Sequence, residues 1–193
     1  VLKAMNQEIS RSMKGFAKRA NPSPYFIGHQ ITDSRSGVIQ AVNGAVQSST
    51  ETRGRLLNTT VRVGDYQLDN THGIRGEPGA MSLFRRGGFI PLSIDDDLDS
   101  LRASLWGETD RQYRIAVEDL EKIRASQEIK VEEESIVGDF TREELQVSLS
   151  LPPPYSMDRD LWEERLKDFS RIFLEYQQIL TSQVDLTAIT TTK

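Results

Sequence analysis

The sequence predicts an α+β fold: a mostly antiparallel sheet packed against helices. Three observations predict it. The chain opens with apolar residues at helical spacing, continues with stretches that alternate apolar and polar residues across short turn-rich links, and then returns to helical spacing. At 193 residues the chain is long enough to bury roughly 70% of its unfolded surface, so it can build a core unaided.

Leu2, Met5, Ile9, Met13 and Phe16 recur at spacings of three and four and form one apolar stripe, which predicts a first helix weakened near Gly15. Asn21-Pro22-Ser23-Pro24 ends it, because proline supplies no amide hydrogen and biases the residue before it away from the helical region. From Tyr25 to Thr32 the chain alternates, setting Tyr25, Ile27, His29 and Ile31 on one face. Asp33-Ser34-Arg35-Ser36-Gly37 has turn chemistry. A second strand is expected over Val38 to Gln47, with Val38, Val42 and Val46 sharing a face, and a third over Leu56 to Val63, with Leu57, Thr59, Val61 and Val63 opposed to Asn58, Thr60 and Arg62. Short links between these strands predict an antiparallel meander with one face covered by the first helix.

Residues 69 to 91 are punctuated by Gly73, Gly76, Gly79, Gly87, Gly88, Pro78 and Pro91, which marks a long excursion that is either functional or mobile. Asp95-Asp96-Asp97 resembles a helix start, where carboxylates accept unpaired amides. Leu98, Leu101, Leu105, Tyr113, Ala116, Leu120 and Ile123 then keep helical period, as one long helix or as a pair broken at Gly107. Glu132-Glu133-Glu134 reads as a solvated acidic linker, and Leu145, Val147, Leu149 and Leu151 as an extended stretch before Pro152-Pro153-Pro154. Asp158 is the expected cap of a last helix whose stripe runs through Leu166, Phe169, Phe173, Tyr176 and Leu180. Val184, Leu186 and Ala188 predict a final strand, cut short at the end of the chain. The organisation is therefore residues 1–68 as helix plus meander, 69–91 as the glycine-rich excursion, and 92–193 as a helical and mixed region ending in that strand.

Composition restricts the chemistry. There is no Cys and only two His, His29 and His72, which removes disulfide scaffolds, thiol catalysis and any site needing three imidazoles. A net charge of −5 and a pI near 5.2 give no basic footprint for a nucleic acid, and no apolar run approaches the roughly 20 residues of a bilayer-spanning helix. His29 and His72 stand in no His-Glu-x-x-His arrangement and read as structural. Asp95, Asp97 and Asp99 match the first ligand positions of a calcium loop, but Ser100 replaces its glycine and Trp106 its bidentate glutamate, which favours a helix N-terminus. Arg85-Arg86-Gly87-Gly88 lacks the order of a phosphate-binding loop and reads as loop, with two arginines suited to an acidic group. Ser48, Ser49 and Thr50 have no base placed beside them and no Gly-x-Ser-x-Gly elbow. No catalytic, cofactor-binding or metal-binding residue is assigned in this chain.

Four segments in order carry a family resemblance. Arg53-Gly54-Arg55-Leu56-Leu57-Asn58-Thr59-Thr60-Val61-Arg62-Val63-Gly64-Asp65-Tyr66 resembles the first domain of the TldD/PmbA proteins, once called modulators of DNA gyrase. Leu105-Trp106-Gly107-Glu108-Thr109-Asp110-Arg111-Gln112-Tyr113-Arg114-Ile115-Ala116, then Asp139-Phe140-Thr141, then Leu161-Trp162-Glu163-Glu164-Arg165 resemble further landmarks of that family. The segment Gly64-Asp65-Tyr66-Gln67-Leu68-Asp69 departs from the compact glycine pattern common in the family.

The resemblance implies a bacterial two-part metallopeptidase. Its α/β N-terminal region would be this chain, and a β-rich C-terminal region would carry zinc on a His-Glu-x-x-x-His motif. Unfolded peptides are the implied substrates and a homo- or hetero-oligomer the implied assembly. In that frame the chain is a non-catalytic part that helps form the peptide channel and subunit contacts, and it leaves apolar surface exposed near the last helix and Val184 to Ile189. Its start at Val1 rather than Met, and its end in a Thr-rich run, fit trimming of a longer product. The family implies a cytoplasmic protein, while export after removal of a leader suits the absence of Cys equally well. The competing expectation is a standalone binding or scaffold module that contacts a partner protein through the 69–91 loop. Hydrolysis by this chain alone is disfavoured.

Overall fold

A computed structural model describes residues 1–73, 88–128, 138–144, 146–148 and 154–193. Among them are helices α1 (Leu2–Arg19), α2 (Leu98–Glu128) and α3 (Arg159–Ile172), and strands β1 (Pro24–Val42), β2 (Ala45–Val63), β3 (Ile90–Pro91) and β4 (Gln183–Thr192). The strands form one antiparallel sheet in the order β3-β2-β1-β4. The fold is α+β, as the patterning predicts.

The expected three-strand meander is instead a hairpin of two 19-residue strands. Asp33 to Gly37 does not turn. Its polar side chains are satisfied across the hairpin: Arg53 and Arg55 donate to Asp33 at 2.8 and 2.7 Å, Ser34 donates to the Gly54 carbonyl at 3.3 Å, and Ser36 meets Thr52 at 2.8 Å. Residues that favour turns in isolation thus become cross-strand pairs. The reversal falls at Asn43-Gly44, with φ of 50° and 81°, the left-handed pair that a tight hairpin needs. Because β1 never breaks, Ile39 and Ala41 have the parity of Ile27 and Ile31 and are buried, while Val38 and Val42 share the other parity and are half-buried.

The chain divides into two compact units, Val1–Ile31 with Leu56–Ser148, and Thr32–Arg55 with Leu149–Lys193. In the first, Ala4, Ile31, Leu57, Leu101 and Leu105 form one apolar cluster, and Ile27, Val61, Val63, Ala116 and Leu120 another. The helix α2 starts where the aspartates predict, with the Asp97 carboxylate accepting the Ser100 amide at 2.8 Å. It passes through Gly107 unbroken for 31 residues. Glu8 of α1, buried to 2% exposure, accepts from Arg11 at 2.6 Å and from Arg102 of α2 at 2.8 Å.

In the second unit, Asp158 caps α3 by accepting the Leu161 amide at 3.0 Å. Leu166 packs on Ile39 and Ala41. The helix ends at Ile172, followed by one 3-10 turn over Phe173–Glu175, rather than running on to Leu180. The return to β1 fixes that end: Asn43 accepts the Ser182 amide at 2.8 Å, and the Ser182 hydroxyl donates to the Ser170 carbonyl at 2.7 Å. Phe169, Ile172, Phe173 and Leu174 are left at 41–55% exposure and Leu180 at 93%, an apolar surface next to the last helix. The acidic linker Glu132 to Glu134, the pair Arg85-Arg86, Leu145, Leu149, Leu151 and Pro152-Pro153 lie outside the described residues. Val147 is in no strand and is 86% exposed.

The inward parity of β1 sets opposite costs at neighbouring positions. Ile39→Ala should cost about 2–5 kcal/mol and Val38→Ala no more than about 1 kcal/mol in urea unfolding. The reverse order would undo the register.

Candidate functional site

A cluster of polar side chains in the first unit lies where β2 ends. Gly64 has φ of 102°, and a Cβ there would run into the Leu68 carbonyl oxygen, so only glycine fits the bend. Asp65 then accepts the amides of Gln67 and Leu68 at 2.8 and 3.0 Å, which holds its carboxyl below the usual range. Asp69 closes the loop by pairing with Gly64. Next to it, Asn70 accepts the Val63 amide at 2.9 Å.

Asp69 is fully buried. Its carboxyl accepts the Tyr25 hydroxyl at 2.8 Å, and the amide and hydroxyl of Thr71 at 2.7 and 2.6 Å. The Asp69 amide donates to Asp139 at 2.9 Å, and the second oxygen of Asp139 meets His72 Nδ1 at 2.6 Å. Residues far apart in sequence are thereby tied together. The backbone repeats the link, with the Phe140 amide donating to the Tyr66 carbonyl at 3.1 Å and the Asp139 amide to that of Gln67 at 3.3 Å. At Gly138 a Cβ would lie 2.8 Å from the Tyr66 carbonyl oxygen, so this close approach also requires glycine. The Arg62 guanidinium sits 3.5 Å from the Phe140 ring centroid and 5.5 Å from that of Phe26, with Asp69 at 3.9 Å.

Burial, followed by the hydrogen bond to Asp69 and its charge, pushes the Tyr25 hydroxyl up to about 12, with Arg62 opposing. Tyr25 is therefore a hydrogen-bond donor at neutral pH and not a base. Asp139 orients the His72 imidazole as a carboxylate orients a catalytic base. The nearby hydroxyl of Thr71, however, is given to Asp69. The arrangement works as a polar clasp that fastens residues 138–140 to the end of the hairpin.

His29 has a separate environment. Its Nδ1 lies 3.0 Å from the Thr59 hydroxyl and its Nε2 3.5 Å from that of Thr109. Thr109 already donates to the Leu105 carbonyl at 2.7 Å, so towards the ring its hydroxyl is left to accept. Burial lowers the pKa of His29 to about 4 despite the charges of Glu8 and Glu108.

Several of the residues weighed from sequence have identifiable partners, and Arg85-Arg86 lie outside the described residues. Asp97 caps α2, Asp99 lies 3.7 Å from Arg102, and the Asp95 amide donates to Ser93 at 3.2 Å. Ser49 accepts from Arg159 at 3.0 Å in the second unit. Among the described residues no three His, Asp or Glu converge as a metal-binding group, and His29 and His72 are engaged by different partners. Sequence reasoning missed Tyr25, Arg62, Asp69 and Asp139. Asp69-Asn70-Thr71 carried a local turn signal, whereas Asp139 meets its partners only through the tertiary fold. No described helix is long and apolar enough to cross a membrane. Comparison with family models, curated proteins and solved structures finds no match.

Two measurements probe these environments. Tyr25→Phe removes a donor from a buried carboxyl and should destabilise the protein by about 1–3 kcal/mol in urea unfolding; a loss below about 0.5 kcal/mol would refute the clasp. For His29, the unfolded ring binds a proton near 6.5 and the folded ring only near 4. Its contribution to stability is therefore complete above pH 6.5 and is lost as pH falls towards 4. NMR titration should find one imidazole still neutral at pH 5, and an ordinary midpoint for both rings would contradict this.

Proposed function

We propose that this chain is the non-catalytic N-terminal region of a TldD/PmbA-like metallopeptidase, helping to form the peptide channel and subunit contacts. The reading rests on four sequence landmarks in family order, and one structural observation supports it. Gly64-Asp65-Tyr66 and Asp139-Phe140-Thr141, two landmarks far apart in sequence, are hydrogen bonded to each other beside the buried Asp69. The apolar side chains at the end of α3, Phe169, Ile172, Phe173 and Leu174, offer a surface for the remainder of such a protein to cover.

Among the described residues the two imidazoles are engaged by different partners, His29 by Thr59 and His72 by Asp139. In this proposal the metal and the hydrolytic step belong to the region after Lys193, and zinc there would activate water. The contribution of this chain is shape and support. The gene downstream of codon 193 should encode His-Glu-x-x-x-His, and the full product should cleave unfolded peptides in a chelator-sensitive way while the 193-residue chain does not. A downstream sequence without that motif would overturn the proposal.

A further inference from the structure

The two edges of the sheet are finished differently. At one edge β3 is only two residues long and contains Pro91, the short, proline-bearing strand that blocks further pairing. At the other edge β4 runs for ten residues, Gln183 to Thr192, with no proline and Asp185 as its one charge. Among the described residues only β1 pairs with it, so its other side presents a row of backbone donors and acceptors. Thr187, Ile189, Thr190, Thr191 and Thr192 make five of its last six residues β-branched, the composition that best fits a pleated surface.

The register decides which side chains a second strand would meet. Val184 and Leu186 pack inward with Ile39, Ala41 and Leu166. Asp185, Thr187, Ile189 and Thr191 therefore point to the opposite face, and Ile189 is 66% exposed there. Lys193 follows at the same parity and is exposed.

We propose that β4 is a homodimerisation edge, pairing antiparallel with β4 of a second copy about a two-fold axis through Ile189. In an antiparallel pair, directly opposed residues share a face. Centring on Ile189 sets it against Ile189 of the second copy. The same register puts Thr187 against Thr191 of the second copy and Asp185 against Lys193 of the second copy, each pair twice by symmetry. The edge is thus complementary to itself: an apolar contact on the axis, threonine pairs beside it and opposite charges outside. This argument needs only β4 and is independent of whether the chain fronts a peptidase.

Sedimentation velocity of the 193-residue chain over a concentration series tests it. The chain should dimerise reversibly, and hydrogen exchange should show β4 amides gaining protection with concentration. Ile189→Lys, at an outward position, should give a folded monomer, its circular dichroism unchanged. Asp185→Lys should weaken the dimer by about tenfold or more, and adding Lys193→Asp should restore it. A chain that stays monomeric to about 100 μM, a dimer that survives Ile189→Lys, or a double exchange no tighter than Asp185→Lys alone would each overturn the proposal.

Discussion

The rest of the structure depends on the unbroken pleat of the β1–β2 hairpin. Side chains alternate strictly along a strand, so one bulge or turn between Ile27 and Ala41 would send half of the apolar residues to the wrong face. With the pleat intact, the same parity supplies Ile27 and Ile31 to one unit and Ile39 and Ala41 to the other. In the first unit Ile27 and Ile31 join the apolar clusters, and in the second Ile39 and Ala41 pack with Leu166. The tight reversal at Asn43-Gly44 sets the pairing, and the Ser182 amide bound to Asn43 ties the return of the chain to that same turn.

Burying carboxyl groups is expensive unless each finds donors, and this protein solves the problem locally each time. Glu8 is held by Arg11 and Arg102, Glu108 by Arg111 and Gln112, and Asp69 by Tyr25 and Thr71. Glu108, Arg111 and Gln112 all lie on α2, whereas the other two groups link separate elements. Glu8 ties α1 to α2, and Asp69 ties the start of β1 to the loop after β2.

Much of the architecture was legible because periodicity is a local signal. The stripe of α1, the aspartate start of α2, the Asp158 cap and the inward set Leu57, Thr59, Val61 and Val63 can all be read from neighbours a few residues apart. The failures share one cause. Asp33 to Gly37 looked like a turn because its polar groups had no visible partners, and those partners, Arg53, Arg55 and Thr52, come from the facing strand. The α3 stripe looked longer than the helix because apolar spacing persists to Leu180, whereas the stop is enforced by Asn43 and Ser182. Local chemistry proposes a conformation, and long-range hydrogen bonding decides whether it is kept.

The same reasoning explains why the polar clasp could not be found as a site. Asp69 and Asp139 are ordinary aspartates in sequence, and only folding brings them beside Tyr25, Arg62 and His72. Once assembled, the oxygens of Asp69 accept from Tyr25 and Thr71, and those of Asp139 from His72 and the Asp69 amide. A catalytic constellation keeps its nucleophile and base aimed at each other and at a substrate. Here the raised Tyr25 hydroxyl, the donated Thr71 hydroxyl and the carboxylate-bound His72 are aimed at Asp69 and Asp139. An assembly that spends its hydrogen bonds on itself fixes loop geometry.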